Sequence, residues 1–516
     1  MIWHIAKKDF LLNLISARFI VGTVLCLLII PFTILINLDD YGTRLDEYHI
    51  KTVEAKNQLE QTRVYSGLRP VIIRPPNPLS LFSNGIDGNV GTRVKVDFGN
   101  IPALPEGKAS QRDNPFLNSF MSIDFIGIIS ILISLLALIF SYDVFTRERE
   151  DGTMKLSLSK GISRPAFMSG KILGIILTLM PILLLCYLLS IIIILVSGHT
   201  SFAPDQWVNL VFLFVFSILY MLVFILAGAF ISSMVKQSST SIIISLLCWI
   251  WFVFLTPALA KNFAESLITI EKQDNINYSL IEINREFWDN LHNEVSPRIE
   301  KELGMYDRDR SYWHASGGQD GFFETSGTAR DVMEYERRMK AETEPIRIDD
   351  ADKKWIIVKN RLDDLYRQKR LQKNLLMLSP TGMFEMIASS LCQNDEKALD
   401  EFMEDVREYR ETLIRHFETN EWFSDLRYIT AQPEDEIAST NEEKNRIAAT
   451  GQVPDSWSNQ NNPVLDLEGV PMFSHASTRL LPVLLHQSLL FIILLLVICS
   501  VLTILIAWSF NKYDVR

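Results

Sequence analysis

Cysteine is scarce in this sequence, with five residues in 516. Cys26, Cys186, Cys248 and Cys499 lie inside apolar runs and Cys392 lies outside one, so neither a disulfide framework nor a thiolate metal spacing emerges. Histidine is also sparse. Its eight residues form no HExxH pair, which leaves out that zinc arrangement. The phosphate-cradling pattern GxxxxGK[ST] is missing as well: Ile172 follows Gly170-Lys171, and Pro165 stands where the first glycine would have to be. Without that loop no backbone amides and lysine are arranged to grip nucleotide phosphates. There is no basic excess either. Fifty Lys and Arg face 61 Asp and Glu, a net charge of −11, which argues against a general nucleic-acid binder. No Ser/His/Asp set or carboxylate pair stands out from the many acids of the polar segments.

What is present is apolar length. Hydrophobic residues make up 48% of the chain and charged residues 22%, and the apolar ones are concentrated in runs of about 20 or more, enough to cross a bilayer. The expected fold is an α-helical polytopic membrane protein with six transmembrane helices, over 19–38, 120–142, 172–197, 207–232, 240–260 and 481–510. The span centres carry no charge, each of which would cost about 2.5–3.5 kcal/mol there. Before the first span, 1–18 mixes Trp3, Ile5, Phe10, Leu11 and Leu14 with Lys7, Lys8 and Asp9, the pattern of an interfacial helix on the cytoplasmic surface. Trp3, Lys7 and Lys8 are its candidate membrane anchors. A signal peptide is the rival reading, but 19–38 is span-length and lacks a small-residue cleavage site.

Two long polar segments are expected as extracytoplasmic insertions, the smaller mixed α/β and the larger mainly helical. In the first, 39–119, a helix is expected from Leu45 to Arg63, then a Pro-rich extended piece over 69–78. Val94, Val96 and Phe98 alternate with Arg93, Lys95 and Asp97, the period of a strand. Asp124 marks the outer mouth of the second span, as an interfacial acid in preference to a path-lining one. In the second, 261–479, Leu280, Phe287, Leu291 and Val295 share a helical face. So do Val332, Tyr335 and Met339 behind a cap at Thr328, and Trp355, Val358, Leu362 and Leu365. Leu399, Phe402, Val406, Tyr409 and Leu413 follow a cap at Asn394. These are seams for helix-on-helix packing. Leu378-Ser379-Pro380 with Met383, Phe384, Ile387 and Ala388 suggests an apolar helix at the membrane surface, and 434–463 reads as a polar loop. Six spans put both termini on one side, together with 143–171, Lys236 and the tail 511–516.

The densest charge between apolar runs lies in Tyr142 to Lys171. Arg147, Arg149, Lys155, Lys160, Arg164 and Lys171 meet Asp143, Glu148, Glu150 and Asp151. Cations at span ends favour the cytoplasmic side. Gly152, Gly161 and Pro165 favour two short helices with turns. The order Glu148-Arg149-Glu150-Asp151-Gly152-Thr153, then Leu158-Ser159, Ser163-Arg164 and Gly170-Lys171, resembles the first cytoplasmic loop of ABC-2-type transporter permeases. Leu378-Ser379-Pro380, the Cys392–Asn394 turn, Pro78-Leu79-Ser80 and Gly85 are similar to a subgroup with large extracytoplasmic insertions.

That resemblance implies a coupling helix that docks on a separate ABC ATPase subunit, which uses ATP and Mg while this chain binds no cofactor. Glu148, Arg149, Glu150, Gly152 and Thr153 would make the coupling contact, with Arg164 and Lys171 as headgroup anchors. A second permease copy, or a related permease, would complete the pathway in the lipid bilayer, and the outer segments leave room for an extracytoplasmic partner protein. The implied function is an exporter or extruder in the plasma (inner) membrane of a bacterium. Ser316-Gly317-Gly318-Gln319 superficially matches an ABC ATPase motif but lies in the outer segment and reads as a turn. Two other classes stay open: a membrane-anchored enzyme with a catalytic ectodomain, and an envelope scaffold or sensor.

Overall fold

The computed structural model describes residues 1–106, 124–198, 200–304, 311–316, 319–324, 329–431, 463–475 and 479–511, with the single positions 434, 437 and 442. The helix α1 (Ile2–Leu14) precedes α2 (Ala17–Glu60). Among the described residues, six helices are long and apolar enough to cross a membrane. They are α2, α3 (Phe125–Ser141) with the turn after it, α6 (Arg164–Ser197), α7 (Pro204–Met234), the unit of α8 (Ser238–Ile250) and α9 (Thr256–Leu267), and α15 (Leu481–Asn511). α8 and α9 are joined by a π-helical turn, Trp251–Leu255.

The helix that carries the first span is longer than the apolar run. Ala17–Glu60 is one helix of 44 residues that passes through Pro31 and does not stop where the charges begin at Asp39. The helix expected from Leu45 is the outer half of this same element. Ser16 starts it by accepting the Phe19 amide.

The two polar insertions share one core. β1 (Val71–Ile73) lies in the Pro-rich stretch and pairs antiparallel with β2 (Arg93–Lys95), placing Ile72 opposite Val94. Ile72, Val94, Val96 and Phe98 are buried against α12 (Ala329–Leu376) and α14 (Glu396–Thr419), which contribute Leu362, Leu365, Phe402, Val406, Leu413 and Phe417. Polar ties cross the same boundary. Arg347 pairs with Asp97 at 2.6 Å, the Arg410 Nε donates to the Asp97 carbonyl at 3.0 Å, and the Asn394 side chain donates to the Ser83 carbonyl at 2.6 Å. Burial alone would raise the Asp97 carboxyl, but Arg347, the Gly99 amide and Arg69 outweigh it and hold the group below its ordinary value. Gly85 has φ +49°, and a Cβ there would sit 2.2 Å from the Asn394 carbonyl oxygen, so only glycine fits.

The second insertion is mainly helical. α10 (Gln273–Asn290) and α11 (Ser296–Glu302) flank a π-helical turn, Leu291–Val295, and the expected helices at 332 and 355 are parts of the single 48-residue α12. The Thr328 cap lies outside the described residues. β3 (Ser311–Ser316) and β4 (Gln319–Glu324) pair antiparallel, with Ser316 opposite Gln319. α14 is capped by Asp395, which accepts the Ala398 amide; Asn394, one position earlier, is used in the tie to Ser83.

α13 (Pro380–Leu391) is buried. It packs among α3, α7 and α15 instead of lying on an open surface. Ser379 starts it by accepting the Gly382 amide and donates its hydroxyl to the Phe252 carbonyl in the π-turn. A π-turn leaves a carbonyl without its ordinary helical partner, and Ser379 fills that need. Asp124 is buried at the start of α3, accepting the Gly127 amide at 2.7 Å and the Asn84 amide at 3.0 Å. It is therefore a helix cap that also fastens the first insertion to the spans.

Candidate functional site

The charged segment after α3 folds as α4 (Thr146–Glu150) and α5 (Thr153–Ser159), separated by Gly152 at φ +72°. A side chain at that φ would be strained. Phe145 fastens the segment from within: it is fully buried and meets Phe510 edge-on at 4.7 Å. The Phe145 and Thr146 amides both donate to the Ser232 hydroxyl.

The residues expected to touch an ATPase divide: Glu150, Gly152 and Thr153 are exposed, and Glu148 and Arg149 are half-buried. Arg149 donates to the carbonyls of Ser233 and Val235, at 2.7 and 2.9 Å, where α7 ends. Cations at a helix C-terminus satisfy carbonyls that the helix leaves over. Glu150 accepts the Ser238 amide and hydroxyl, both at 2.7 Å, at the start of α8. The two neighbours together clamp the short turn between the fourth and fifth spans. Glu148 accepts the Thr153 hydroxyl and pairs with Lys171.

Lys171 is buried, at 7% exposure. Its ammonium sits between Glu148 of α4 and Asp9 of α1, the latter 3.1 Å away. A buried ammonium is costly unless opposite charge surrounds it. Here that requirement draws three chain segments to one point. Burial raises the Asp9 carboxyl above its ordinary value, and Lys171 offsets part of that rise.

The same contact is fixed by close helix approach. A Cβ at Gly170 would lie 2.8 Å from the Ile5 Cβ, and one at Gly174 would lie 2.9 Å from the Asp9 Cβ. Thr178, one turn further, accepts the Asn13 side-chain amide at 3.2 Å. Gly170, Gly174 and Thr178 thus form a shallow stripe into which α1 fits, the small-residue packing used between membrane helices. Trp3, Lys7 and Lys8 remain exposed on the other side of α1. Arg164 donates to the Phe510 carbonyl at 3.2 Å, at the end of α15. Arg18 bonds Asp143 at 2.8 Å, tying the base of α2 to this cluster.

Sequence reasoning missed Asp9, Gly174 and Ser232. The G170xxxG174 spacing was a visible signal. Beside Glu150, Gly152 and Thr153 the outward face is mixed: Arg147, Asp151, Lys155, Leu156 and Lys160 are also exposed, Leu156 at 56%. An exposed leucine ringed by charges of both signs has the make-up of a protein contact.

A family profile described as ABC-2 family transporter protein matches residues 3–515 of the chain. No curated protein is similar enough to match it.

Proposed function

The chain belongs to the ABC-2 family of transporter proteins, and from its role there as a membrane permease subunit we propose that it couples ATP hydrolysis by a separate ATPase subunit to export or extrusion of a substrate. The single observation behind this reading is the Lys171 junction. One buried ammonium joins α1, α4 and α6, so a push on α4 is delivered to a span and to the amphipathic α1 together.

In this reading Arg147, Asp151, Lys155 and Leu156 face the ATPase. Glu148, Arg149 and Glu150 set the shape of the loop that presents them, Gly152 makes its turn and Thr153 holds Glu148. Trp3, Lys7 and Lys8 anchor α1 in the headgroup region, and Arg164 secures the start of α6 beside them. Two permease chains, identical or related, complete the pathway. Both termini and the loop face the cytoplasm of a bacterial cell whose plasma membrane holds the spans.

The test is ATP hydrolysis that co-purifies with the tagged chain from its native membranes. The chain has no phosphate loop of its own, so any such activity belongs to a partner. Exchanging both Lys155 and Leu156 for Glu should reduce that activity at least tenfold while the protein keeps its thermal unfolding midpoint. Wild-type preparations free of ATP hydrolysis would sink the reading.

A further inference from the structure

The outer body holds a cleft of about 480 Å³ between the α10–α11 segment and α12. Clefts of roughly 300–1,000 Å³ are the usual size for small-ligand sites. The two walls differ in chemistry. α10 contributes Phe287 and Trp288, and the π-helical turn after it contributes His292. Trp288 is 53% exposed, a large apolar face left open. The π-turn adds a residue to the helix there, and His292 lies beside Trp288 at 5.6 Å between ring centroids, its Nδ1 2.7 Å from the Trp288 carbonyl. Such turns are rare and cluster at functional sites.

The facing wall carries a polar stripe of α12 at helical spacing, Glu336, Lys340, Thr343, Arg347, Asp350 and Lys354, beside Tyr335 and Met339, which pack on the π-turn. A helix-packing seam would carry apolar residues at these positions. Part of the stripe has a structural use. Arg347 pairs with Asp97 and Glu344, and Lys354 donates to the Gly99 carbonyl. Glu336 and Lys340, one turn apart, act electrostatically on each other, but among the described residues neither side chain makes a hydrogen bond. Burial pushes the Glu336 carboxyl above its ordinary value, with only Lys340 opposing it.

The ligand must therefore offer an apolar face to Trp288 and both donors and acceptors to Glu336 and Lys340. A purely apolar ligand would strand the two charges. A polyanion meets Glu336, and a simple amine meets Lys340, so neither fits as well as a neutral molecule. We propose that this cleft binds a neutral saccharide, with a sugar ring stacked on Trp288 and its hydroxyls bonded to Glu336 and Lys340. This inference is independent of the transport reading, because binding is measured without ATP or a partner.

The experiment titrates the purified full-length chain, in a detergent without sugar headgroups, with cellotetraose and with chitotetraose. Saturation-transfer NMR and calorimetry report binding. We expect one or both tetrasaccharides to bind, with Trp288→Ala and Glu336→Gln each weakening the affinity at least tenfold. Trp288 is exposed and Glu336→Gln keeps the side chain's shape, so folding should survive, and Asp151→Asn should bind as wild type. Three results would each overturn the proposal: no binding of either sugar to wild type up to about 10 mM, undiminished binding by both variants, or displacement of the bound sugar by choline at equal concentration.

Discussion

Glu385 is placed where an ionised carboxylate is poorly accommodated. It sits on α13 among the outer ends of the spans. Burial, with the Asp124 charge adding to it and Lys369 opposing, pushes its carboxyl up to about 8 from an ordinary 4.5. The folded value is the higher one, so the folded state holds a proton that the unfolded chain releases. Stability is then full below the ordinary range and falls as pH rises towards about 8. Glu385→Gln removes that loss. The variant should match wild type in thermal unfolding near pH 4 and exceed it by at least about 1 kcal/mol at pH 9; equal midpoints at pH 9 would contradict the assignment. No apolar periodicity marks this residue. It stands one position after Phe384, on a helix whose burial comes from elements far away in the chain. Lys171 teaches the same lesson. Its charge at a span end was legible, but its neutralisation by Asp9, 162 positions earlier, is a tertiary fact that spacing does not carry.

At the scale of elements, hydropathy found the spans because a bilayer demands apolar length. It did not show that the helix of the first one runs on past the apolar stretch, because hydropathy reports the solvent around a helix, not the continuity of its backbone. α2 leaves the apolar region at Asp39 and remains a helix to Glu60. Two glycines within the helices separate propensity from packing. A Cβ at Gly42 of α2 would meet nothing within 4 Å, whereas one at Gly228 of α7 would lie 2.0 Å from the Ser141 hydroxyl oxygen. Gly42→Ala should stabilise the protein by about 0.5–1 kcal/mol, since alanine loses less freedom in a helix. Gly228→Ala should destabilise it by about 1–3 kcal/mol through overpacking between the second and fourth spans. Denaturation midpoints of the two single variants check both signs. The helical seams of the second insertion were legible for the usual reason, a buried face repeating every three to four residues. The fusion of four expected pieces, two into α2 and two into α12, was not, since polar interruptions cost a solvated helix little.

For the whole molecule, an even number of spans was enough to group the termini with the charged loop. The sharing of one core by both insertions was beyond reach, because pairing Ile72 and Val94 with Phe402 and Val406 joins segments some 300 residues apart. The grouping has a direct test by thiol labelling. Cys26, Cys186, Cys392 and Cys499 are buried and Cys248 is half-buried, so Cys248→Ser is the background for the labelling. Arg147→Cys should react with a membrane-impermeant maleimide only in inside-out vesicles. Ile356→Cys, exposed on α12, should react only in right-side-out ones. Labelling of both from one side would refute the arrangement.

The length of α2 gives that arrangement a scale. Forty-four residues at a rise of about 1.5 Å each make a spoke of about 66 Å, roughly twice the hydrocarbon thickness. Its foot is pinned to Asp143 by Arg18, beside the turn that leads into α4. A swing of about 5° at the foot would carry the far tip sideways by about 6 Å, so a movement too small to notice at one face of the membrane would be a full helix-turn's stride at the other.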